Sequence, residues 1–243
     1  MAGVILAWPD CMYGVNAAFS RRSLTPEARE RLEHALDARR DAEGIASGKY
    51  SRYLAAAAVV CAGLEFVPAL SLTIPYALFW AAIGITTFLA YLQFRRALER
   101  RVAPLARRSP FDALPVPAVL AMLCCLAAGI VFVALPGQRA AALLTVVATS
   151  LLVVTSWRIA IAPALLMGND PQLEYAIDER LRRSRATNVA ALACAPAVGL
   201  AAFAAALMPG EPAVSVTLWV VVVAWAVATV TNALRPRRPL AVE

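Results

Sequence analysis

Six stretches of the chain stay apolar for about twenty residues each, the length that carries an α-helix across a hydrocarbon core of about 30 Å. They are predicted at Leu54 to Ile74, Tyr76 to Phe94, Val116 to Leu135, Ala140 to Trp157, Asn188 to Met208 and Ala213 to Leu234. None alternates apolar and polar positions as a barrel strand does, and a helix satisfies its own backbone hydrogen bonds in lipid. The pattern predicts an all-α fold, a polytopic membrane protein built as a six-transmembrane-helix bundle. A polar segment over 1–53 precedes the membrane domain at 54–234, longer connections run over 95–115 and 158–187, and a tail occupies 235–243.

Two of the polar segments carry a helical period of their own. Thr25, Pro26 and Glu27 form a good helix start, with the hydroxyl as cap and proline at the first helical position. Ala28, Leu32 and Leu36 then make a narrow apolar stripe on a charged helix over about 25–44. The second helix starts at Asp170 and Pro171 and sets Leu173, Ile177 and Leu181 on one face. Its acids come early (Glu174, Asp178, Glu179) and its bases late (Arg180, Arg182, Arg183, Arg185). That order suits the helix dipole and a membrane surface together, so both segments are expected as amphipathic cytoplasmic helices.

Composition agrees with a lipid environment. Of 243 residues 61% are hydrophobic and 16% charged, against about 45–50% and 25% in soluble domains. The basic residues also give a direction. Eight precede the first run, six lie between Arg95 and Arg108, five between Arg158 and Arg185, and three in the tail, leaving only Arg139 on the opposite side. Positive charge concentrates on cytoplasmic segments, so both termini and both long connections are expected in the cytoplasm, with the chain in a bacterial inner membrane. Lys49 is the only lysine, and Ala, Val, Leu and Pro abound, which reads as the codon bias of a GC-rich genome rather than selection of arginine for its geometry. The net charge of +7 is spread between apolar runs, so no nucleic-acid partner is expected. Met1 and Met12 both stand as starts; residues 1–20 lack the positive region of a signal peptide.

The three outer connections are short. Two read Leu135-Pro136-Gly137-Gln138 and Met208-Pro209-Gly210-Glu211, which raises a repeat of parallel hairpins against the ordinary use of Pro-Gly in turns. Ala191, Ala195 and Gly199 recur at four-residue spacing, a pattern that lets helices approach closely, and a homo-oligomer or a membrane-protein partner stays open.

Candidate chemistry is sparse. Glu65 lies eleven residues into the first predicted span, about 16 Å deep at 1.5 Å per residue, where a carboxylate costs roughly 3 kcal/mol. It is either a proton or cation site, with Thr86 and Thr87 at comparable depth, or a hydrogen-bonded group facing the bundle interior, helped by Pro68. Arg158 beside Trp157 reads as an interfacial anchor. Five cysteines without a C-x-x-C spacing and one histidine, His34, argue against a metal site. Adjacent Cys124 and Cys125 point to different sides of a helix. Hydrolase, Walker and dinucleotide signatures are absent, so no catalytic residue, metal or cofactor is assigned. Arg95, Arg96, Arg100, Arg101, Arg158, Arg180, Arg182, Arg183 and Arg185 are the candidate contacts for anionic lipid headgroups or a partner protein.

Three functions from different classes fit this pattern. A non-enzymatic membrane subunit or regulator working through the basic cytoplasmic face comes first. A transporter or channel for a small solute or cation using Glu65 is the alternative, and a lipid-modifying enzyme ranks third because aspartate-rich metal motifs are missing.

Overall fold

A computed structural model describes residues 49–67, 72–98, 109–135, 137–163, 171–208 and 210–234. The predicted helix near 25–44, Arg100, Arg101 and the tail lie outside the described residues. Among those described there are helices and no strands. We name them α1 (49–64), α2 (Thr73–Leu98), α3 (Pro110–Ala113), α4 (Val116–Val133), α5 (Arg139–Ala160), α6 (Pro171–Leu207) and α7 (Pro212–Leu234). Five of them, α2 and α4 to α7, are long and apolar enough to cross a membrane, and the chain is accordingly a multi-pass membrane protein.

The first predicted span departs from expectation. Leu54 to Ile74 is not one helix: α1 ends at 64, Glu65 and Phe66 form a turn, and α2 starts at Thr73. The last turn tightens, with Phe66 N–H bonded to the Gly63 carbonyl at 3.2 Å and Val67 N–H to that of Leu64 at 3.1 Å. Pro68 supplies the reason, because proline disfavours helical geometry in the residue before it and has no N–H to continue the ladder. The later boundaries fall within a few residues of the pattern, except that α6 fuses the juxtamembrane helix and the fifth span into 37 continuous residues.

Two hairpins, α4–α5 and α6–α7, form the centre. The pairs α4 with α7 and α5 with α6 lie side by side, and α2 is laid along α5. The hairpins turn alike. Gly137 and Gly210 have φ of 78° and 96°, the left-handed region that glycine enters without steric cost. Gln138 N–H bonds back to Leu135 O, and Glu211 N–H to Met208 O, each at 3.4 Å.

Small residues set how closely the helices pack. A methyl placed on Gly84 of α2 would lie 3.1 Å from the Ala148 carbonyl oxygen of α5, so these two backbones nearly touch. Cys125 is buried and Cys124 exposed, as their adjacency on one helix dictates. On α7 the side chains of Val216, Trp219 and Val223 are exposed, the surface a lipid tail covers without hydrogen-bond cost.

The tightest contact is at Gly199. Pro196 lies inside α6, where it offers no N–H to the Leu192 carbonyl. Tyr76 of α2 packs against the same stretch and donates its hydroxyl to the Ala195 carbonyl at 3.2 Å, with the Gly199 amide and Trp80 as its other partners. Its ring meets Phe203 edge-on at 5.2 Å. A methyl on Gly199 would collide with the tyrosine ring and hydroxyl. Gly199→Ala is therefore expected to lower stability by about 1–3 kcal/mol through overpacking, and Tyr76→Phe by about 1 kcal/mol through the lost hydrogen bond. Denaturant unfolding in detergent measures both, and the Gly199→Ala loss should shrink in a Tyr76→Ala background.

Candidate functional site

The charged residues meet where α2 and α5 end and α6 begins. An α-helix leaves its last four carbonyls without intrahelical donors, and cations stabilise that end of the dipole. The carbonyls at the end of α5 are met from both neighbouring helices. Tyr91 of α2 donates to Arg158 O at 3.0 Å, Arg95 to Pro163 O at 3.3 Å, and Arg182 of α6 places Nη1 on Ala160 O. One turn further along, Ser156 reverses the direction, donating to the Ala186 carbonyl of α6 at 2.8 Å.

Arg182 is held from its other side by Glu179. Nε donates to Oε2 at 3.0 Å and Nη2 to Oε1 at 2.7 Å, the two-point geometry that suits a guanidinium and a carboxylate. Arg183 adds a bond from Nε to Glu179 Oε1 at 2.6 Å. The Arg182 residue is only 5% exposed, so its charge is neutralised in place rather than offered to solvent. Ile177 and Leu181, two of the three predicted stripe residues, are buried and hold this half of α6 against the rest; the Leu173 side chain lies outside the described residues.

The predicted cytoplasmic contacts thus divide. Arg96 and Arg158 are exposed, and Arg180, Arg183 and Arg185 half-buried. Arg185 stacks its guanidinium 5.1 Å from the Phe94 ring centre, a cation–π distance. Arg95 is partly covered and committed to Pro163. Arg182, expected among the contacts for anionic headgroups or a partner protein, is instead drawn inward onto the Ala160 carbonyl, because the last carbonyls of α5 need a donor. Trp157 stands at the rim, edge-on to Phe111 at 6.1 Å.

The predicted intramembrane group does not assemble. Glu65 is exposed in the turn after α1, whereas Thr86 and Thr87 are buried on α2. The Thr86 hydroxyl is occupied locally, 2.6 Å from Ala82 O and 3.1 Å from Ile83 O. Among the described residues no group of histidine, cysteine, aspartate and glutamate is arranged to hold a metal ion. No family model, no curated protein and no solved structure matches this chain. Its own geometry is what a functional reading has to work from.

Sequence reasoning missed Tyr76, Ser156 and the inward role of Arg182. For Tyr76 a signal existed in the pairing of Pro196 with Gly199 three residues on, a broken ladder beside a notch. For Arg182 the four-residue spacing to Ala186 aligns it with the α5 contact, but only the fold reveals a carbonyl there.

The charged joint makes a quantitative prediction. Arg182→Met strips the Ala160 carbonyl and takes the two-point partner from Glu179, so the expected loss is on the order of 3 kcal/mol, the scale for removing one partner of a buried pair. In a double-mutant cycle with Glu179→Gln, unfolding free energies in detergent should show a coupling of about 1–3 kcal/mol; additive losses would mean that the pair does not act as a unit.

Proposed function

We propose that this chain is a non-enzymatic subunit or regulator of a membrane assembly, seated in a bacterial inner membrane with both termini in the cytoplasm, and acting through its basic end. The observation that carries this reading is the continuity of α6. Its first half bears the acids and arginines, its second half runs through the bundle core, and the two belong to one helix of 37 residues with Pro196 inside it. A partner that grips the charged half would therefore act on a rod whose far end packs against α4, α5 and α7. The joint at Arg182 ties the same rod to α5, so force is shared between two spans.

Charge supports the orientation. Lys49, Arg52, Arg96 and Arg158 are exposed around the end where α6 begins or on the first turns of α1, and Arg139 stands at the hairpin turn of α5. By the positive-inside rule the former face the cytoplasm. Each basic residue near that surface attracts anionic headgroups by about 1 kcal/mol, which anchors the face without identifying the partner. Glu65, exposed at a helix end, lends the transporter alternative no interior site.

Position-specific photocrosslinking in native membranes tests the proposal. A crosslinker at Arg96 or Tyr175 should capture one protein in stoichiometric yield, and one at Arg139 should not. Arg96→Glu combined with Arg158→Glu should sharply reduce that capture while leaving membrane insertion and the unfolding midpoint unchanged. Equal capture from both ends, or none from the basic end, would refute the assignment.

A further inference from the structure

Threonine inside a membrane helix ordinarily donates its hydroxyl to the carbonyl four residues back. Thr86, Thr155, Thr187, Thr217 and Thr229 all do so here, at 2.6 to 2.9 Å. Thr145 and Thr149 of α5 do not. Both are fully buried, and among the described residues neither Oγ1 has a hydrogen-bond partner. The Oε1 of Gln138, also buried, has none either. An unpartnered polar group in an apolar interior costs roughly 1–3 kcal/mol, so two such hydroxyls on α5 and a third group at its cap call for a ligand.

They share a face. At about 100° per residue, Gln138, Thr145, Thr149, Leu152 and Ser156 fall within a narrow arc of α5. Val146 on one flank faces Gly129 of α4, and Ala148 and Leu151 on the other face Gly84 of α2. Between these flanks the arc points at α6, as the bond from Ser156 to Ala186 shows. Continuing antiparallel from that bond brings the Ala193 to Ala197 stretch of α6 opposite Thr149 and Thr145. Ala193 and Ala197 are fully buried; their methyl groups offer no hydrogen bond. The polar groups in need of partners thus all stand on the α5 side, opposite a stretch of α6 lined by small residues.

We propose that the α5–α6 seam is a hydration site, in which ordered water is bound by the Thr145 and Thr149 hydroxyls and by the Gln138 side-chain carbonyl. Water is the ligand these groups fit. It donates to the glutamine oxygen, accepts from and donates to the hydroxyls, and needs two to four polar partners in a small space. Leu152, which is fully buried, separates Thr149 from Ser156. The proposed site is independent of the charged joint at the opposite end of α5.

Water-edited magic-angle-spinning NMR on the full chain, carrying 13C-threonine in deuterated-lipid bilayers, tests this directly. Magnetisation from water should reach Thr145 and Thr149 several-fold faster than Thr155, which is equally buried but bonded to its own helix. Transfer to Thr145 and Thr149 no faster than to Thr155 would overturn the proposal. Unfolding supplies a second readout with opposite signs. Thr149→Val, which keeps the shape and removes the hydroxyl, should lower the unfolding midpoint if water is bound there, with Thr149→Ser lowering it less. A valine variant as stable as the parent or more stable would mean that the hydroxyl is an uncompensated cost, and the site would be refuted.

Discussion

In hydrocarbon a backbone carbonyl without its helical donor has no solvent to turn to, and this constraint organises the molecule wherever a helix ends or breaks. The end of α5 is the clearest case. The Arg158 and Ala160 carbonyls are met by a tyrosine and an arginine from the neighbouring helices, and a second arginine takes the Pro163 carbonyl just beyond, so the elements that could have been separate modules are bound into one joint. Near Pro196, where α6 lacks one backbone donor, a tyrosine from another helix adds a bond to the Ala195 carbonyl. Packing elsewhere relies on alanine and glycine, whose small size brings backbones together, and it is the polar repairs that fix which helices are neighbours.

The joint also changes what a cluster of arginines means. Exposed cations at a membrane surface gain modestly from anionic lipid, whereas a buried one survives only when paired and fully hydrogen-bonded. Arg182 belongs to the second kind, with Glu179 and the Ala160 carbonyl completing its shell, while Arg96 and Arg158 belong to the first. Residues of one type, close together in sequence, therefore divide between holding the fold and facing outward.

Much of the membrane architecture was legible in the chain because hydrophobic length is so strong a signal: α2 and α4 to α7 lie where the apolar runs predict. The errors came from proline. Pro68 ends α1 near Leu64, yet a window average over 54–74 passes over it, since one residue barely alters mean apolarity while removing a hydrogen bond outright. The continuity of α6 was hidden for the converse reason: the charged and apolar halves differ in composition, but nothing between Arg185 and Asn188 breaks a helix. The charged site was legible as residues and illegible as geometry. Local pattern says that Arg182 is basic and near the membrane; that a neighbouring helix ends within its reach is a tertiary fact. Thr145 and Thr149 look in sequence like any threonine on a span, and only their failure to bond backwards distinguishes them.

Arg182 and the Ala186 carbonyl sit one helical turn apart on α6, and both engage the end of α5. Two contacts at that separation fix the azimuth of the helix as well as its height. The compass direction in which Tyr175 and Arg180 emerge is thereby set by how α6 is seated in the core, with no freedom to swivel between them. An insertion of one residue between Arg182 and Ala186 would turn the outward-facing surface by about 100° relative to the bundle, so the chain's phase, as much as its charge, specifies what that surface meets.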